Sequence, residues 1–91
     1  LYIEGYLVAS PTGQAAAVKA RELAEASGIK TALTFSDPAM VQFFGDGMKK
    51  MLGPKGVDLL FANEDEALAF AGTHNLLEAR EKLKQVARTF V

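Results

Sequence analysis

Ninety-one residues with an apolar fraction of 49% allow one small globular domain and leave no compositional case for disorder. Ten Lys and Arg against eleven Asp and Glu, a net charge of −1, give no basic field for nucleic acid and no cationic face for a membrane. The absence of cysteine excludes a disulfide framework and thiolate metal sites, and fits a reducing, cytoplasmic setting.

Leu1 to Val8 is rich in Tyr, Ile and Val and alternates only weakly, which predicts a buried parallel strand. Ser10-Pro11 then reads as a helix N-cap followed by Pro at the first helical position. The helix is expected to run to about Ser27 and to end at Gly28. Its buried face is predicted at Ala16, Ala20, Leu23, Ala24 and Ser27, with Lys19, Arg21, Glu22 and Glu25 toward water. Lys30 to Phe35 is the second predicted strand, and Asp37-Pro38 repeats the cap-plus-Pro device.

The helix after Asp37 has an apolar face of Met40, Val41, Phe44, Met48, Met51 and Leu52. Gly45 and Gly47 each cost about 1 kcal/mol against Ala in a helix interior, so a bend or break is expected there. Gly53-Pro54 stops the element. Val57 to Phe61 is a short apolar run suited to a buried strand. It passes through Asn63 into the acids Glu64, Asp65 and Glu66, and Leu68, Phe70 and Ala71 begin a helix that Gly72 closes. A last helix is predicted with Leu76, Ala79, Leu83, Val86, Ala87 and Phe90 as its buried stripe and Glu78 with Lys82 as an i,i+4 pair on the wet side.

Three strand-helix units and one extra helix predict an α/β fold. Long connections imply a parallel sheet with right-handed βαβ crossovers and helices packed on it, a three-layer αβα arrangement. Ligands in such sheets bind beyond the carboxyl ends of the strands. Ser10, Ser36, Asp37, Asn63 and Glu66 all follow predicted strand ends and should share one edge.

Residue by residue, capping explains most of these polar groups. Asn63 with Glu66 three residues later is a capping box, and Glu64 and Asp65 favour the helix dipole. The same spacing recurs at Asn75 and Glu78. Ser36 and Asp37, and Ser10 with Thr12, read first as caps. Glu4 and Asp58 lie at strand ends or pair with a cation. His74, the sole histidine, sits in a connection, without spacing for a triad or a zinc site. Met40, Met48 and Met51 recur at helical spacing and read as core. Neither a Gly-x-x-x-x-Gly-Lys-Ser/Thr loop nor a Gly-x-Gly-x-x-Gly is present.

The run Leu-Phe-Ala-Asn63-Glu-Asp-Glu66-Ala resembles the Asn-x-x-Glu motif of the ribokinase-like (phosphofructokinase B, PfkB) carbohydrate and nucleoside kinases. The resemblance extends to Tyr2-Ile3-Glu4-Gly5-Tyr6 and to Ser36-Asp37-Pro38, in the family's order, with an adenosine-kinase-like flavour. It implies transfer of the ATP γ-phosphoryl to an alcohol of a sugar or nucleoside. It places Asn63 near the phosphates and Glu66 near Mg²⁺, tied to the ion through water, as Mg²⁺ prefers. It also puts the Ser36-Asp37 junction near the phosphate or acceptor site, although Ala39 stands where many relatives carry Asn.

The family's Gly-Ala-Gly-Asp signature, whose Asp is the base and whose amides form the anion hole, does not occur in these residues. The N-terminal Gly-rich acceptor region is missing too. Residues 1–91 are thus expected to form one partial domain, the central part of a ribokinase-like core. The piece is expected to be inactive alone and to self-associate through exposed sheet edges. The rival expectation is a small non-catalytic α/β interaction module whose caps are purely structural.

Overall fold

The computed structural model describes all of Leu1–Val91. Four strands form one sheet: β1 (Tyr2–Glu4), β2 (Ala32–Thr34), β3 (Val57–Phe61) and β4 (Ala87–Phe90). They lie side by side in chain order and every pair is parallel. The helices are α1 (Pro11–Ala26), α2 (Pro38–Phe43), α3 (Gly45–Leu52), α4 (Glu64–Ala71) and α5 (Leu76–Lys84).

Sequential parallel strands joined by right-handed crossovers place every helix on the same face of the sheet. The register agrees with this. Ile3, Leu33, Leu60 and Phe90 align across the strands, and the first three are buried. The neighbouring row, Tyr2, Ala32, Leu59 and Thr89, belongs to the opposite face, where Tyr2 is 55% exposed. This chain therefore builds the parallel sheet and one helical layer. The core between them holds Leu33, Phe35, Met48, Met51, Leu52 and Leu60, all fully buried. The Thr31 carbonyl accepts from the amides of both Asp58 (3.0 Å) and Leu59 (3.1 Å). The alternation of β3 slips by one at that point, so Val57 and Leu60, three apart, are both buried.

Several boundaries differ from those the sequence predicts. The first strand stops at Glu4, and Gly5–Ala9 form a 3₁₀ turn. A Cβ at Gly5 would run into the carbonyl oxygens of Thr34 and Phe35, so this strand end lies hard against the next. Of the predicted face of α1 only Ala24 is fully buried, together with Ala17 and Arg21, and Leu23 is 57% exposed. Arg21, expected in water, is only 4% exposed: it bonds Glu25 at 2.7 Å and reaches the Lys50 carbonyl at 3.4 Å. The break expected at Gly45 and Gly47 falls just before them, at Phe44, and separates α2 from α3, but Phe44, predicted on the apolar face, is exposed.

The last element carries the largest correction. The predicted stripe continues through Phe90, yet the helix stops at Lys84 and Ala87–Phe90 become a fourth strand beside β3. The spacing of three between Ala87 and Phe90 favours a helix face, and pairing with β3 overrides it. Nor do Glu78 and Lys82 pair. Glu78 accepts from the Thr73 hydroxyl at 2.9 Å, and Lys82 donates to the Ala71 carbonyl at 2.7 Å, closing the end of α4.

Candidate functional site

Because all four strands point the same way, their carboxyl ends share one edge of the sheet. Along it follow the Gly5 turn, the Phe35–Asp37 turn and the Ala62–Asn63 entry to α4. Packing anchors α4 there: Ala67 and Ala71 are buried, and Phe70 stacks on Phe35 with ring centroids 5.1 Å apart.

At the head of α4 the capping box is complete. The Glu66 amide donates to Asn63 Oδ1 at 2.8 Å, and the Asn63 amide donates to Glu66 Oε1 at 3.1 Å. This division leaves two groups over. With Oδ1 turned into the helix, the Asn63 side-chain NH₂ has no protein acceptor, on an exposed residue. Glu66 is 6% exposed; its Oε2 has no protein donor but keeps contact with solvent. Each residue caps with one polar atom and offers the other outward.

Asn75 and Glu78, identical in spacing, do not repeat this. Asn75 Oδ1 accepts from the Leu77 and Glu78 amides (2.9 and 3.3 Å), but the Asn75 amide turns to Thr73 Oγ1 at 3.1 Å. Glu78 never returns to Asn75.

At the neighbouring strand end Asp37 caps α2, its Oδ1 accepting from the Ala39 amide at 2.7 Å. Ser36 is the sole non-glycine residue with positive φ, at 68°. The Asp37 amide bonds the Phe35 carbonyl across it at 2.7 Å, a γ-turn of the strained, positive-φ kind. Ser36 Oγ accepts from the Tyr6 amide at 3.2 Å, and the Ser36 amide donates to Thr34 Oγ1 at 3.2 Å. No sequence signal marked this conformation; the pre-proline rule constrains Asp37, which is extended, and not Ser36. Ser10 caps α1 through the Gly13 amide (3.2 Å), with its hydroxyl 3.0 Å from Thr12 Oγ1.

Among the remaining groups singled out by sequence, Asp58 accepts from the Thr31 amide at 2.8 Å and lies 3.6 Å from Arg88. That is the opposite end of the sheet. A polar cleft of about 340 Å³ lies there, between Lys30, Lys55, Asp58 and Arg88. Of its cations Arg88 already faces Asp58, and it is the wrong end of a parallel sheet for a ligand. A smaller hollow of about 210 Å³ adjoins Asn63, Glu64, Ala67, Phe90 and Arg80. Arg80 supplies its cation and was not foreseen; on a wet helix face it looks like any solvated Arg. His74 is exposed, and Met48 and Met51 are fully buried core.

No group of three or more His, Cys, Asp or Glu is assembled to hold a metal by itself. The free Oε2 of Glu66 suits an ion that keeps most of its waters and takes one protein carboxylate at a remove, which is the habit of Mg²⁺. No helix is long and apolar enough to cross a membrane.

Two solved structures share this fold. Adenosine kinase from Sinorhizobium meliloti matches 98% of the chain at 34% identity and a TM-score of 0.82. A probable sugar kinase from Rhizobium etli CFN 42 matches 94% at 28% identity and a TM-score of 0.79. The chain spans 27% and 26% of their respective lengths. A search of curated proteins finds no match. The pfkB family carbohydrate kinase pattern covers residues 1–91, end to end, and this chain therefore belongs to the pfkB family of carbohydrate kinases.

Proposed function

We propose that residues 1–91 are the central part of a cytoplasmic kinase core that transfers the ATP γ-phosphoryl to an alcohol of a sugar or nucleoside. Family membership over the whole chain supports the reaction class, and the adenosine kinase and sugar kinase likenesses support the acceptor class. The observation that carries the site is the division of labour at the head of α4. Asn63 and Glu66 satisfy one another through Oδ1 and Oε1, and leave an NH₂ donor and a carboxylate oxygen on the sheet's carboxyl edge.

Phosphoryl transfer is mostly positioning and charge neutralisation. In this reading the Asn63 NH₂ donates to a phosphate oxygen, and Glu66 Oε2 accepts from a water of the magnesium shell. Mg²⁺, when bound, supplies the positive charge that offsets the phosphates. The capping bonds hold both side chains in one rotamer, so little order is lost on binding. These residues include no candidate base, so the isolated chain is expected to be inactive and to bind Mg·ATP immeasurably weakly.

A second reading has its own observation. The capping box accounts for the Asn63–Glu66 spacing as helix architecture, which suits a non-catalytic α/β module. The two are separated by assaying the full-length protein for ADP release with adenosine and a panel of sugars. Acceptor-dependent ADP release that requires Mg²⁺ supports the kinase; none with any alcohol leaves the module.

A further inference from the structure

We propose that Ser36 is a positioning residue for phosphoryl transfer, a strained latch that fixes the carboxyl edge of the sheet and, through Phe35, the setting of α4. The inference rests on the kinase reading above.

Ser36 holds φ at 68°, a conformation costly to any residue with a Cβ and free to glycine. The chain nevertheless carries Ser here, and its hydroxyl is used at long range. Oγ accepts from the amide of Tyr6, thirty residues away in sequence, the second residue of the 3₁₀ turn that follows β1. Gly5 itself lies against the Thr34 and Phe35 carbonyls, where a Cβ has no room. Two separate devices therefore clamp the end of β1 to the end of β2.

The same turn reaches the motif helix. Phe35 directly precedes Ser36, is fully buried, and bonds the Phe61 carbonyl through its amide at 3.1 Å. Its ring stacks on Phe70, one turn beyond Glu66 on α4. A relaxed residue 36 frees the Phe35 carbonyl and the ring orientation together. That lets α4 shift, and the outward atoms of Asn63 and Glu66 shift with it. A displacement of this kind harms a transition state that depends on placement more than it harms ground-state binding.

The test is a set of variants in the full-length protein. Ser36→Gly removes the hydroxyl and the strain; Ser36→Ala removes the hydroxyl and keeps the strain; Ser36→Asn tolerates positive φ and restores an acceptor for the Tyr6 amide. We expect the Gly and Ala variants to lose tenfold or more in kcat with KM for Mg·ATP within threefold of wild type. The Asn variant should recover to within threefold. Hydrogen exchange at the Tyr6 amide should accelerate in the Gly and Ala variants and slow again in the Asn variant. Unchanged kcat in folded Gly and Ala variants of an active enzyme overturns the latch and leaves the kinase reading standing. If the wild-type protein phosphorylates no alcohol, the kinase reading fails and the positioning role with it. An unaltered Tyr6 exchange rate removes the structural basis of the latch on its own.

Discussion

Asn63 and Glu66 exchange two hydrogen bonds, 2.8 Å in one direction and 3.1 Å in the other, and each keeps one polar atom unused by the protein. A helix cap and the proposed ligand site thus draw on different atoms of the same two side chains. Substitutions that change one atom at a time separate the two roles.

Asn63→Ala removes the cap acceptor and should cost about 1 kcal/mol, or roughly 4–8 °C in Tm for a domain this size. Asn63→Asp keeps the acceptor and replaces the outward NH₂ with negative charge. Thermal melts should show Asp close to wild type and Ala below it. In the full-length protein, on the proposed kinase reading, Asp should be the worse change, raising KM for Mg·ATP at least tenfold. If Asp is silent toward nucleotide while Ala melts early, Asn63 is a cap alone.

Glu66→Gln retains a side chain that serves in capping boxes and discards the charge. Stability should stay within about 0.5 kcal/mol of wild type. Half-saturating Mg²⁺ should rise several-fold and kcat should fall. A magnesium titration superimposable on wild type contradicts the metal role.

Gly5→Ala places a methyl against backbone oxygens, one of them Phe35 O at 2.7 Å. Backbone atoms at a strand junction yield poorly, so the change should cost about 1–3 kcal/mol, read as a Tm loss of roughly 4 °C or more. A melt within 1 °C or so of wild type would mean that the β1–β2 junction is looser than described.

Arg21 and Glu25 form a pair with side chains 5% and 19% exposed, and Arg21 Nε and Glu25 Oε2 are buried without partners. Removing only Glu25 leaves a buried guanidinium uncompensated and should cost near 3 kcal/mol, the low end for a buried pair because Glu25 keeps some solvent. Replacing both by Arg21→Met with Glu25→Leu should recover most of that loss. Urea melts of the single and double variants decide it; equal destabilisation would show that packing by Arg21, not pairing, dominates.

The sheet face away from the helices carries Tyr2 and Phe61, 55% and 38% exposed, whose rings meet edge-on with centroids 6.3 Å apart. The edge strands β1 and β4 also present unpaired backbone groups. The isolated 91 residues should self-associate with rising concentration, and Tyr2→Lys with Phe61→Lys should shift them toward monomer. Sedimentation across a concentration series that finds a single monomeric species for the unmodified chain counts against this.

Local chemistry was legible in the sequence wherever one or two neighbouring residues decide it. Ser10-Pro11, Asp37-Pro38, Asn63 with Glu66, and Gly72 in the left-handed conformation all start or stop helices where the pattern says. The α/β class and parallel pairing followed from strand-helix alternation, because long connections leave few other routes. What depends on distant partners was not legible. Residues 86–91 continue a helix stripe by spacing, and β3 decided for the strand by offering an unpaired edge. Arg21 is buried because α3 and Gly53 close over it, which no helical wheel of α1 contains. Ser36 takes positive φ where its hydroxyl holds the Tyr6 amide and the Phe61 carbonyl anchors the adjacent Phe35, contacts from two other segments of chain. Propensity and spacing act within a turn or two of the backbone, whereas these three outcomes were set by contacts that exist only once the sheet has closed.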